Sequence, residues 1–190
     1  MIPRRYKDVS IADVPANVLD FYSTLRDTRM GIYIYGGVGV GKTHIAYALY
    51  KDWIEKRKNE VEKQKEEMVR GVPSETKVRP PAHFWNMTEL LFNLRNEFRT
   101  SGAHEVSSGL MEAQNLLFLD DVGAERVTEW VEEVFYLTVN NYYENEVPII
   151  FTSNYPLSGI AEKVGERIAS RIKEMCHVIE LKGEDRRLKI

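Results

Sequence analysis

A chain of 190 residues with 43% hydrophobic and 29% charged side chains holds enough apolar material for one buried core, and a single domain spanning 1–190 is expected. A formal net charge of −3 excludes a surface that is basic all over, so any contact with nucleic acid must come from a local patch. The single cysteine, Cys176, cannot close an internal disulfide, and the histidines lack the recurring spacing of a metal site, so a reducing, cytoplasmic setting is expected.

The opening stretch MIPRRYKDVSIADVP has no apolar core of signal-peptide length, and no later run is long enough to span a bilayer. A soluble protein without membrane association follows. Ile32 to Tyr35 is a short β-prone run. From Thr43, the positions Ile45, Leu49 and Trp53, with Ala46 and Ile54 beside them, recur at helical spacing.

That helix then turns charged. Between Lys51 and Arg70 stand seven basic and six acidic residues, including the i,i+4 pairs Asp52/Lys56, Lys58/Glu62 and Lys63/Glu67. The pattern predicts a solvated helical extension within an insertion at about 55–80, closed by a loop over 71–81 that begins with Gly71 and Pro73. His83 to Trp85 predict a strand, and Asn86 with Glu89 predict a capping box opening a helix through Leu90, Leu91, Leu94 and Phe98.

NLLFLDD reads as a buried strand ending in two carboxylates, and 129–144 as a helix with Trp130, Val131, Val134, Phe135 and Leu137 inward. VPIIFTSN is a further strand, GIAEKVGERIASRIKEM a continuous helical stretch and CHVIELKG a last strand. The alternation of strands and helices predicts an α/β domain with a parallel sheet.

Residues 36–43 match G-x-x-x-x-G-K-[ST] between a predicted strand and a predicted helix, the context that gives the motif its meaning. Glycines here let consecutive backbone N–H groups point at an anion, and the following helix adds the positive end of its dipole. Gly37, Val38, Gly39, Val40, Gly41, Lys42, Thr43 and His44 are therefore the expected nucleotide-binding residues, with Lys42 reaching the β- and γ-phosphates of ATP and Thr43 ligating Mg²⁺. Asp120 is placed to hold the Mg²⁺ shell from the far side, and Asp121 to polarise the attacking water. Asn154 ends the next strand, where ligands of parallel sheets gather, and is expected to touch the γ-phosphate or orient the water.

GGVGVGKTHIAYAL, FWNMTELLFNLR, LLFLDDVGAE, FTSN and GERIASRI, in this order, resemble the DnaC/DnaI-type helicase loaders of bacteria and phages over nearly the whole chain, about residues 6–190. The resemblance implies an AAA+ ATPase with sheet order 5-1-4-3-2, helices on both faces and no separate lid domain. It implies Mg-ATP binding, self-association and help in placing a replicative hexameric helicase on single-stranded DNA. Lys42 and Thr43 match Walker A, Asp120 and Asp121 match Walker B, and Asn154 matches the sensor-1 position. Arg171 sits where the family places an arginine finger acting on a neighbour's ATP, with Arg167 one turn earlier. Arg186 and Arg187 are weaker sensor-2 candidates, and Arg95, Arg99 and His104 lie near where related proteins carry a helical element facing DNA.

Three departures stand out. Many AAA+ ATPases carry Asp-Glu where this chain has Asp120-Asp121; loaders of this type usually carry an N-terminal helicase-binding domain, whereas the P-loop here begins by residue 36, so the sequence is expected to be either the ATPase part of a longer protein or a minimal loader; and the charged insertion has no assigned family role. A transposition helper ATPase of the IstB type, a P-loop small-molecule kinase and a nucleotide-binding adaptor without turnover are the competing readings.

Overall fold

The computed structural model describes residues 2–69, 81–99, 105–111 and 115–185. The predicted sensor-2 residues Arg186 and Arg187, His104, and the loop at 71–80 lie outside the described residues. Two 3₁₀ turns, Arg4–Tyr6 and Ile11–Asp13, precede helix α1 (Ala16–Thr28) and strand β1 (Gly31–Gly36). There follow α2 (Lys42–Val69), β2 (Ala82–Asn86), α3 (Met87–Arg99), α4 (Glu105–Met111), β3 (Leu116–Val122) and α5 (Glu129–Glu144). The chain continues through β4 (Ile149–Ser153), α6 (Leu157–Val164), α7 (Glu166–Met175) and β5 (Cys176–Leu181).

The five strands form one parallel sheet in the order β2-β3-β4-β1-β5, the expected order read from the other edge. Because successive side chains of a strand face opposite ways, each strand feeds two cores. Ile32, Ile34, Phe118 and Ile150 pack toward α1 and α2, whereas Tyr33, Leu117, Leu119, Ile149 and Phe151 pack toward α3, α5, α6 and α7. Burial on both faces explains why these strands read as nearly unbroken apolar runs. β1 lies between β4 and β5 rather than beside β2, so the strand order reverses there. The carboxyl ends of β1, β3 and β4 converge at that crevice.

α2 is one continuous helix of 28 residues, about 42 Å long at 1.5 Å per residue, roughly twice the length of the strands beneath it. Trp53, whose indole N–H donates to the carbonyl of Pro81 at 2.9 Å, is, among the described side chains, the last of α2 in the buried core. The charged half therefore runs on past the sheet, and the Lys56–Asp52 pair closes at 2.7 Å.

Three sequence expectations need correction. Leu137 is 43% exposed rather than inward, because Phe135, Thr138, Val139 and Tyr142 already fill the buried stripe of α5. The stretch from Gly159 to Met175 is two helices, broken at Gly165, where φ is 94°. Asn86 accepts the N–H of Thr88 at 3.1 Å and of Glu89 at 3.5 Å, so α3 has its cap, while Phe98 points outward. α1 was not anticipated, although Val18, Tyr22 and Leu25 mark its buried face at i, i+4 and i+7. Among the described residues no helix is long and apolar enough to cross a membrane.

Candidate functional site

At the carboxyl edge of the sheet lies a cavity of about 350 Å³ bounded by Val38, Gly39, Gly41, Lys42, Thr43 and His44 on one side and Asp121 and Asn154 on the other. The turn that forms its floor needs positive φ at Gly39 (77°) and Gly41 (106°), values an L side chain rarely adopts. Val40 instead turns its side chain into the core, 6% exposed, and so anchors the loop from below. Gly37 and Val40 are not among the residues that border the cavity.

Lys42 is buried, and its ammonium donates to the carbonyls of Gly36 at 2.9 Å and Gly37 at 2.7 Å. The Thr43 hydroxyl donates to Asp120 Oδ2 at 3.1 Å, which ties the glycine loop directly to the end of β3. The other oxygen, Oδ1, accepts from the hydroxyl of Thr152 at 2.6 Å, and that same hydroxyl accepts the backbone N–H of Asp121 at 2.9 Å. Asn154 Nδ2 donates to Asp121 Oδ1 at 3.1 Å. Thr152 thus uses both its donor and an acceptor to hold the acidic pair, a role that none of the sequence motifs assigns to it.

The pairing of β3 with β4 slips by one residue between Leu119 and Val122, and Asp121 has φ 60°. An extra residue on one strand bends it and re-aims side chains. Here it sends Asp120 toward Thr43 and Asp121 toward Asn154.

Asp120 is 5% exposed, and burial pushes its carboxyl above the usual range, against the opposing pull of the Thr152 and Thr43 hydroxyls. A buried carboxylate beside a threonine hydroxyl is a pair of hard oxygen donors and fits Mg²⁺, which favours oxygen ligands and shares its shell with phosphates. Asp120→Asn is expected to raise the thermal midpoint of the ligand-free protein at pH 7 while weakening Mg²⁺-dependent nucleotide affinity. A carboxyl whose folded pKa lies above its unfolded value, about 3.9, favours the fold at low pH, and that contribution is lost as pH rises through the folded value. Asparagine stays neutral, so the gap between the two midpoints opens with rising pH and closes below about pH 4. Parallel midpoints across that range would contradict the assignment.

Glu125, which follows the acidic pair, accepts the N–H of Gly123 at 3.2 Å and closes the turn after β3 rather than lining the cavity. His44 lines it, with Nε2 3.5 Å from Asp13 Oδ2. Arg5 and Tyr6 also border the cavity. Their signal was faint in the sequence, because it depends on Tyr6 stacking on Tyr47 of α2 (centroids 4.5 Å apart), itself stacked on Phe84 at 4.0 Å.

Arg171 and Arg167 are not at this cavity. The Arg171 guanidinium lies over the rings of Tyr136 (5.0 Å) and Tyr143 (5.6 Å), and that of Arg167 over Tyr136 at 4.9 Å with a hydrogen bond to its hydroxyl at 3.1 Å. Arg171 Nε is buried with no hydrogen-bond partner among the described residues. Glu174 accepts from the Tyr143 hydroxyl at 2.8 Å instead of pairing with the arginine. On α3, Arg95 lies 4.7 Å over Trp130, Arg99 is exposed, and Phe92 and Phe98 are 64% and 65% exposed beside them.

No protein-family model matches the chain. In sequence it is similar to the replicative helicase loader DnaI of Bacillus subtilis (strain 168), 29% identical over 186 residues, covering 90% of this chain and 52% of that protein. In structure it is similar to the DnaC helicase loader, with TM-score 0.72 and 24% identity over 95% of this chain and 100% of that one. It is also similar to the replication initiator DnaA bound to AMPPCP and single-stranded DNA, with TM-score 0.65 and 18% identity over 97% of this chain and 52% of that one. The fold is that of AAA+ P-loop ATPases. The chain spans about half the length of the curated relatives it matches.

Proposed function

We propose that this chain, which resembles the DnaC/DnaI-type helicase loaders in sequence and fold, binds Mg-ATP at the carboxyl edge of its sheet, hydrolyses it in an assembly with copies of itself, and helps place a replicative hexameric helicase on single-stranded DNA. The observation that carries the reading is the bridge from Thr43 through Asp120 to Thr152, which brings the phosphate loop and the acidic strand end to one point.

Each residue has a task there. The amides of the glycine loop and the Lys42 ammonium take the triphosphate charge. Thr43 and Asp120 would hold Mg²⁺, which supplies charge neutralisation at the phosphates when bound. Asn154 occupies Asp121 Oδ1, so Oδ2, which has no hydrogen-bond partner among the described residues, is left to accept the proton of the attacking water. Arg171 acts in trans: within its own protomer it lies on tyrosine rings away from the cavity.

The outer face of α3 suits single-stranded DNA, since exposed Phe92 and Phe98 can stack on bases while Arg95 and Arg99 meet phosphates. Replacing both arginines with alanine is expected to flatten the slope of log affinity against log salt by about 1.4, or about 0.7 for each phosphate no longer neutralised. An unchanged slope removes α3 from the DNA path. The loader reading is tested by purifying the tagged protein from its native cell with Mg-ATP. Recovery of the hexameric replicative helicase supports it, and recovery of a transposase in its place overturns it.

A further inference from the structure

We infer that the groove between the first turns of α5 and α7 docks a second copy of this chain, receiving the basic N-terminal turn that borders that copy's nucleotide cavity. This rests on the reading that Arg171 completes a neighbour's site. The groove is a cavity of about 420 Å³ with Tyr136, Val164 and Ile168 along its apolar side and Glu129, Glu132, Glu133 and Glu166 around its rim. All four carboxylates are exposed, and none has an ion-pair partner among the described residues. Arg167, the cation of this groove, is engaged with Tyr136. Glu129, Glu132 and Glu133 lie in the first turns of α5, where the helix dipole favours acidic side chains, and with Glu166 they give the groove a negative rim that a cationic surface complements.

The complementary surface is on the same molecule. Arg4, Arg5 and Lys7 are exposed on the first turn, against the single carboxylate of Asp8, and no described carboxylate pairs with them. Arg5 borders the nucleotide cavity. Both surfaces sit at the carboxyl edge of the sheet: α5 leaves β3 shortly after the acidic pair, and the N-terminal turn is stacked on α2 just beyond the glycine loop. One patch cannot satisfy the other within a protomer, because they lie on opposite faces of the sheet; Val9 and Val14 pack with α1 and α2, and Val131 and Val164 with the other core. A head-to-tail contact pairs them.

Seating also explains the arrangement of the arginines. Tyr136 lines the groove and carries both guanidinium groups, so a neighbour bound there presses on the residue that holds Arg167 and Arg171. Docking and delivery of the finger share one side chain.

The test is sedimentation of the full chain with Mg²⁺ and a non-hydrolysable ATP analogue, at low and high salt. Glu132→Lys with Glu133→Lys, and separately Arg4→Glu with Lys7→Glu, are each expected to weaken self-association about tenfold or more, since like charges then face each other. All four changes in one chain should restore it to within a few-fold of the unmodified protein. Nucleotide affinity of each protomer, read by fluorescent-analogue titration, stays unchanged and reports an intact fold. Association that ignores both pairs, or that the fourfold variant fails to recover, overturns the docking. If the charge swap restores association while Arg171→Ala hydrolyses ATP normally, the finger reading falls and the docking stands. Loss of hydrolysis in Arg171→Ala with no effect of the charge changes gives the converse.

Discussion

Lys42→Ala is expected to lower ATP affinity by on the order of a hundred- to a thousandfold, because truncating one member of a buried charge pair costs about 2–5 kcal/mol. The ammonium is buried at the root of the glycine loop, where water is scarce, and is already committed to two backbone carbonyls. Those bonds hold the nitrogen near the phosphate position without a long flexible search, so its loss removes both charge and preorganisation. The fold should survive, since Val40 and the start of α2 anchor the loop independently. Isothermal titration with Mg-ATP, paired with thermal unfolding, checks both parts. Wild-type affinity in a folded variant would remove the phosphate site from the P-loop.

Arg171→Ala is expected to leave affinity intact and to lower DNA-stimulated hydrolysis on the order of a thousandfold, the scale of a missing arginine finger. In the protomer this guanidinium rests on two tyrosine rings, contacts worth about 0.5–2 kcal/mol that a developing phosphate charge readily outbids. A mixing experiment gives the sharper result. Lys42→Ala protein cannot hold ATP but still offers Arg171, whereas Arg171→Ala protein holds ATP but offers no finger. Combining the two inactive proteins should regenerate turnover at the interfaces where one completes the other. Activity absent from the mixture, or a wild-type rate per protomer that does not depend on concentration, contradicts action in trans.

That Lys42, Thr43, Asp120, Asp121 and Asn154 come together could be read from the sequence because each sits in a short local pattern at a strand end. Thr152 could not, since its contact with Asp120 depends on how β4 is registered against a bulged β3, a relation between segments about 30 residues apart. Arg5 and Tyr6 escaped for the same reason: the N-terminal turn reaches the cavity only by stacking on α2. The parallel sheet and its order followed from motifs and resemblance together. The fate of single side chains such as Leu137 did not, because a helix that offers more apolar residues than its neighbours can cover must leave one outside.

Asp121 adopts a left-handed backbone, a region in which aspartate and asparagine are several-fold enriched among residues with a Cβ. Its carboxylate is also held one methylene from the main chain, close enough for the Asn154 amide. The shorter acid at this site is therefore matched to the chain's local geometry: aspartate enters this region of backbone torsion more readily than glutamate, and its short arm meets the neighbouring amide from beside the main chain.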